Sequence, residues 1–272
     1  MEKIFINHIN NILKYLSNYI DITEITKRYN SCDYVFLEED VYKVKIGSEI
    51  KEVDFKNKIG SSLSVIYSDK GKLKASKTAC VIKKDNVPKN INNIIFHELM
   101  HIGSTETLII NNNKLIKHSG IQTVEYENII KTVKIDNNAS FLNEALTELV
   151  AKVIYDELYE DKYTIVEKIN NKLYKSKYKL PYFLLSFSLL NYFEKNKKDL
   201  FEIYFNNNIE LLKEILKRLT NLELDDLINA VNSLENISII PDLFKKIINK
   251  FDKINPLINE DVRKQYNLLE KY

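Results

Sequence analysis

The chain has 272 residues, of which 44% are hydrophobic, a content typical of a folded protein with one large domain or two smaller ones. Its 40 basic and 38 acidic residues leave a net charge of +2, and no long run of one sign would follow a phosphate backbone. Nucleic acid is therefore not an expected partner. Cys32 and Cys80 form no disulfide scaffold, and we expect them to be free thiols.

The N-terminal residues contain no uninterrupted apolar core followed by small residues, so they do not resemble a secretory signal. The longest apolar stretch, Pro181 to Phe193, is interrupted by polar residues and is shorter than the roughly 20 residues that a membrane span requires. It is better interpreted as a buried helix. We therefore expect a cytoplasmic protein without a membrane span.

In chain order, helical spacing of apolar residues between positions 3 and 28 predicts an opening helix. Short β-rich runs at 34–37, 41–46, 63–67 and 78–82 predict a small, mostly antiparallel sheet. A helix is predicted from about Asn90 to Ile102, then a polar, irregular segment at 111–138, and a second helix at 140–160. From Tyr163 onward the periodicity is helical, with breaks at Pro181, Pro241 and Pro256.

The first predicted helix after the strands contains His97-Glu98-Leu99-Met100-His101, an H-E-x-x-H sequence. Residues four apart on a helix lie about 40° from each other, so both imidazoles leave one face and can bind a single ion. A catalytic zinc site requires three protein ligands and one open position for water, so a further ligand is expected elsewhere in the chain.

A second pair of polar residues lies on the next predicted helix, in the sequence Asn143-Glu144-Ala145-Leu146-Thr147-Glu148. Glu144 and Glu148 are again four positions apart and share one face, while Leu142, Leu146 and Leu149 form an apolar stripe on the other. This arrangement predicts that the helix presents carboxylates on one side and packs against a core on the other.

Together, His97-Glu98-x-x-His101 and Asn143-Glu144-x-x-x-Glu148 resemble the gluzincins, the thermolysin-like zinc metallopeptidases with H-E-x-x-H followed by N-E-x-x-x-D. The resemblance covers roughly residues 90–155. It implies that His97, His101 and Glu144 bind one Zn²⁺ and that Glu98 is the general base that activates the attacking water. Glu148 occupies the position of the family's aspartate, which hydrogen-bonds a ligand histidine; here the side chain is one methylene longer.

The resemblance further implies an α+β, zincin-like fold with a catalytic region at 1–160 and an α-helical C-terminal region at 161–272 that closes the cleft. Such a site also requires a donor to the developing oxyanion, and His118, Tyr126 and Tyr155 are the candidates. By analogy with zincin-like folds, a peptide substrate would add to an edge strand, and the run 78–84 is the candidate edge.

The expected reaction is peptide-bond hydrolysis by a zinc hydrolase acting on a peptide or protein substrate. An endopeptidase is favoured over an exopeptidase because the G-x-M-E-N signature of related aminopeptidases is absent. The alternative is a non-catalytic binding or regulatory protein with a structural metal site. The presence of Glu98 argues against this alternative, because a purely structural site has no use for a general base beside its ligands.

Overall fold

A computed structural model describes residues 2–46, 49–56, 58–75, 78–84, 91–111, 114–127, 140–163, 189, 192–220, 223–225 and 228. The described part has six helices and ten strands, and its fold class is α+β as predicted. The predicted helix at Pro181 to Phe193 and the breaks at Pro181, Pro241 and Pro256 lie almost entirely outside these residues.

The chain opens with two helices where the sequence predicted one. Helix α1 spans Glu2–Leu16 and α2 spans Thr23–Asn30. Between them, Asp21 Oδ1 accepts hydrogen bonds from the backbone N–H and the hydroxyl of Thr23, at 2.9 and 2.7 Å. A short side chain that binds the backbone two residues later favours a turn over a continued helix, which explains the break.

A three-stranded sheet has the order β1-β7-β4, with β1 at Asp33–Leu37, β7 at Ala79–Lys83 and β4 at Gly60–Leu63. Strand β7 runs parallel to β1 and antiparallel to β4. The prediction that residues 78–84 form an edge was therefore wrong. The burial pattern explains the central position, since Ala79, Cys80, Val81 and Ile82 are all buried, as expected for a strand covered on both faces.

Two hairpins occupy the chain between β1 and β7. Strands β2 and β3 span Val41–Ile46 and Glu49–Asp54, and strands β5 and β6 span Ile66–Asp69 and Lys72–Ala75. Both pairs are antiparallel. The predicted run 63–67 thus divides between β4 and β5. Cys32 and Cys80 are buried free thiols, which confirms the prediction from their number.

A second three-stranded sheet follows the motif helix. Strands β8, β9 and β10 span Thr105–Asn111, Lys114–Ser119 and Gln122–Glu127, and they form an antiparallel meander. The irregular segment predicted at 111–138 was therefore wrong over residues 114–127. These strands contain many polar residues, so the alternation of apolar and polar positions that identifies a strand was not visible in the sequence. Leu115 is nevertheless fully buried.

The helices that carry the two motifs contribute to the main hydrophobic core. Helix α3 spans Ile91–Ser104, and α4 spans Ser140–Leu158. In the C-terminal region, α5 spans Lys197–Phe205 and α6 spans Ile209–Thr220. Every residue of α3 from 93 to 104 is buried, so the helix has no solvent face along this stretch. None of the described helices combines the length and the apolar character that a bilayer crossing requires.

Candidate metal centre

The two histidines of the motif, His97 and His101, lie on the part of α3 that faces α4. Their side chains are only about one-tenth exposed, at 10% for His97 and 8% for His101. Polar groups buried to this degree require polar partners, because an unpaired one costs about 1–3 kcal/mol. A partner shared by both rings is supplied by α4, where Glu144 Oε2 lies within 3.4 Å of each.

Three atoms of these residues form a compact triangle. The Nε2 atoms of His97 and His101 are 3.1 Å apart, and Glu144 Oε2 lies 3.4 and 3.3 Å from them. Around a tetrahedral zinc with bonds of about 2.0–2.1 Å, ligand atoms are separated by about 3.3–3.4 Å. The triangle therefore has the dimensions of one ion of zinc's size, and its three residues could hold a metal ion together.

The three residues of the triangle differ in their exposure to solvent. The side chain of Glu144 is 28% exposed, whereas the two imidazoles are almost covered. Among the described residues, the group that could hold a metal comprises these three, with ligand atoms within 4.8 Å of one another. A four-coordinate ion held by them would keep a fourth position for water or substrate.

The charges of the site shift two pKa values in opposite directions. Burial alone would lower the pKa of His97, but the carboxylates of Glu148 and Glu144, with Glu98 nearby, outweigh it and raise that pKa well above its usual value. Burial alone would raise the pKa of Glu144, but the imidazoles of His101 and His97 outweigh it and hold that pKa well below its usual value. The metal-free site thus already attracts positive charge.

Glu148 contacts the far side of the His97 ring. Its Oε1 lies 3.2 Å from His97 Nδ1, and its Oε2 accepts a 2.6 Å hydrogen bond from the Tyr163 hydroxyl. The extra methylene of glutamate therefore still reaches the ring. Tyr163, which anchors this carboxylate, was missed by the sequence analysis because no local pattern connects it to a glutamate 15 residues earlier.

The three candidate oxyanion donors lie in different environments. His118 is in β9, where its Nδ1 is 2.9 Å from Thr123 Oγ1 and 2.7 Å from Asn207 Nδ2. Tyr155 is in α4, and its hydroxyl donates to Asp161 Oδ2 at 2.8 Å. Tyr126 pairs with Leu115 in the meander. Their role as donors stays a prediction.

The residue before Glu144 joins α4 to the β9–β10 turn. Asn143 is buried, and its Oδ1 accepts a 2.9 Å hydrogen bond from the backbone N–H of Ile121 in the β9–β10 turn. The neighbouring Gly120 has a φ of +57°, and a Cβ there would lie 2.1 Å from Asn143 Oδ1. The turn can approach the ligand helix this closely only because position 120 is glycine.

No model of a protein family, no curated protein and no solved structure matches this chain. Its function is therefore argued from the site itself.

Proposed function

We propose that this chain is a zinc-dependent peptidase in which His97, His101 and Glu144 hold one metal ion and Glu98 is the general base. The observation that carries the proposal is the buried triangle of two imidazole nitrogens and one carboxylate oxygen at the spacing of zinc ligands. Mixed imidazole and carboxylate ligands suit zinc. When bound, the ion would polarise a carbonyl group and activate a water molecule.

Glu98 has the proposed role of the base beside the metal. It follows His97 on α3, so its side chain leaves the helix about 100° away from the ligand direction. Its Cγ lies 3.2 Å from the point where a Cβ on Gly60 would stand, which puts it under strand β4. Glu98 is buried. In the proposed reaction its carboxylate takes a proton from the attacking water and delivers it to the leaving amine.

Glu148 has a proposed orienting role toward His97. With its Nε2 directed at the metal, the ring carries its proton on Nδ1, the atom nearest Glu148. The Tyr163 hydroxyl holds the other oxygen of the same carboxylate. This arrangement favours one tautomer and one ring orientation of His97, although Glu148 replaces the aspartate of the gluzincin pattern.

Strand β4 is the proposed binding edge for a polypeptide substrate. Among the described strands it ends its sheet, pairing with β7 on one side only. Ile94 Cγ2 and Glu98 Cγ lie 3.0 and 3.2 Å from the Cβ position of Gly60, so the strand crosses the motif helix closely. An extended peptide added to this edge would lie across Glu98.

The substitution Glu98→Gln tests the proposal. It preserves the size of the side chain and removes the base, so zinc content should stay at one ion per chain while hydrolysis falls by about 10²–10⁴-fold. Hydrolysis is measured by mass spectrometry on a mixed library of short unstructured peptides. Glu210→Gln is the matched control, since its side chain is 81% exposed and it lies at the start of α6.

Each outcome of this experiment decides between classes of protein. Equal hydrolysis by wild type and Glu98→Gln would contradict the assigned base. A wild-type chain that binds zinc and cleaves no peptide in the library would favour the non-catalytic binding protein. Cleavage inside the peptides, instead of stepwise release of terminal residues, is the result expected of an endopeptidase.

A further inference from the structure

Three buried hydroxyl groups lie where α3, α4 and α5 meet. They belong to Ser104 at the end of α3, Thr147 in α4 and Tyr204 in α5, and all three residues are at most 3% exposed. None of these hydroxyls has a part in the proposed metal site or in the proposed reaction. Their position matters because α3 carries both histidine ligands and α4 carries the glutamate.

The hydroxyls form a connected chain from the Ser104 side chain at the end of α3 to the backbone of α4. Ser104 Oγ lies 3.2 Å from the carbonyl oxygen of His101, and Thr147 Oγ1 donates at 2.8 Å to the carbonyl oxygen of Asn143. The Tyr204 hydroxyl lies 2.8 Å from Thr147 Oγ1 and also hydrogen-bonds Ser104. The chain thus begins at Ser104, three residues after the ligand His101, and ends at the carbonyl of Asn143, one residue before the third ligand.

Counting protons gives the chain one direction. The single proton of Thr147 is donated to the backbone of α4, so Thr147 accepts from Tyr204. Tyr204 then has no proton left for Ser104 and accepts from it instead. The His101 carbonyl does not depend on Ser104, because Thr105 Oγ1 donates to it at 2.7 Å. Every donor in the chain is used, and hydrogen bonds aligned in this way strengthen one another.

Packing also restrains the ring that carries the central hydroxyl. Tyr204 Cε2 lies 2.8 Å from the point where a Cβ on Gly120 would stand, and the same point is 2.1 Å from Asn143 Oδ1. Both side chains therefore occupy space that the missing side chain of Gly120 leaves free. The aromatic ring has little room to move, so its hydroxyl keeps a defined place between the helices.

We propose that Tyr204 is a positioning residue that sets the separation of the two ligand helices and thereby the size of the metal triangle. The inference rests on the proposed metal site and extends it to the C-terminal region. Without the Tyr204 hydroxyl, α3 and α4 lose a buried polar link close to the ligands, and the three ligand atoms no longer match one tetrahedral ion as well.

The test compares Tyr204→Phe with Tyr192→Phe. Both remove one hydrogen-bonded phenol oxygen from the C-terminal region, but Tyr192 donates to Asp199, away from the ligand helices. Zinc affinity, measured by competition with a chromophoric chelator, should fall about tenfold in Tyr204→Phe and stay unchanged in Tyr192→Phe. The visible absorption of the cobalt(II)-loaded protein, which reports coordination geometry, should change only in Tyr204→Phe.

A double variant tests whether the hydroxyls act as one unit. Combining Tyr204→Phe with Thr147→Val should weaken zinc binding about as much as one substitution alone, because either breaks the same chain. If Tyr204→Phe does not fold, Thr147→Ser and Thr147→Val replace it. The serine variant keeps the hydroxyl and should keep zinc affinity, and the valine variant should lose about tenfold.

The inference would be overturned if Tyr204→Phe had the same zinc affinity and the same cobalt spectrum as Tyr192→Phe. This holds however much Tyr204→Phe lowers the stability of the fold. Fully additive losses in the double variant would also overturn it. A wild-type chain that binds zinc without hydrolysing peptides overturns only the peptidase proposal, since no readout here uses hydrolysis. A wild-type chain that binds no zinc overturns both.

Discussion

The imidazole of His97 lies between two carboxylates, with Glu144 3.4 Å from its Nε2 and Glu148 3.2 Å from its Nδ1. These carboxylates outweigh burial and raise the pKa of His97 in the metal-free protein. A raised pKa means that the bound proton stabilises the fold below the unfolded value of about 6.5 and that this contribution is lost as pH rises through the folded value. Zinc must displace that proton.

Zinc affinity should therefore rise with pH. Between about pH 6 and pH 7 we expect a gain of about tenfold, the effect of one displaced proton per ion. Competition with a chelator of known affinity measures it at each pH. Substituting Glu148→Gln removes one of the carboxylates that raise the pKa of His97. The rise in zinc affinity should therefore occur at lower pH. Zinc affinity independent of pH over this range would contradict the prediction.

At the scale of elements, Arg28 joins the ends of two helices. Its Nη1 donates to the carbonyl oxygens of Gly103 and Phe205, both at 2.9 Å. These carbonyls belong to the last turns of α3 and α5, where the helix dipole is negative and carbonyls lack intrahelical partners. The guanidinium therefore satisfies two helix termini at once and holds α3 against the C-terminal region.

The substitution Arg28→Met should lower the free energy of unfolding by about 2 kcal/mol, because it leaves both carbonyls without this charged donor. Urea denaturation followed by circular dichroism measures the change. Lys27→Met is the control on the same helix, where the side chain is 66% exposed and pairs with Glu24, three residues earlier. Equal losses in the two variants would show that Arg28 does not join the helix ends.

Gly120 supplies another element-scale prediction. Gly120→Ala places a side chain on a left-handed backbone and in the space that Asn143 and Tyr204 occupy. The free energy of unfolding should therefore fall by about 3 kcal/mol. Gly71→Ala is the matched control, because its φ is also positive, at +76°, but a Cβ there meets nothing within 4 Å. Gly71→Ala should lower the free energy of unfolding by only about 1 kcal/mol. Thermal unfolding of both variants measures the difference, and equal costs would exclude the proposed crowding.

The sequence predicts those parts of the site that depend on local spacing. His97 and His101 are one helical turn apart, so a single helix suffices to bring them together. Strand order and long-range contacts cannot be predicted from local spacing. Residues 78–84 lie in the middle of their sheet because β1 and β4 pair with β7 on either side. Tyr204 and Thr147 meet across 57 positions, a contact that only tertiary packing creates.

At the scale of the whole molecule, a bound ion would join two parts of the chain that are distant in sequence. Removing zinc by dialysis against a chelator should lower the unfolding free energy by about 2.7 kcal/mol relative to protein with free zinc at about 100 times the dissociation constant. Differential scanning calorimetry measures this change as a shift in the midpoint temperature of unfolding. Glu144→Ala is the control and should respond far less to the chelator. A wild-type midpoint unaffected by zinc would contradict the prediction.

The separation of the ligands along the chain also sets an order of events during synthesis. The two histidines are made first and are brought together by one helix, but the carboxylate that completes the triangle emerges 43 residues later. A nascent chain could hold zinc only weakly before α4 docks. Capture of the ion would therefore report that the core has assembled, and loss of the ion would accompany its opening.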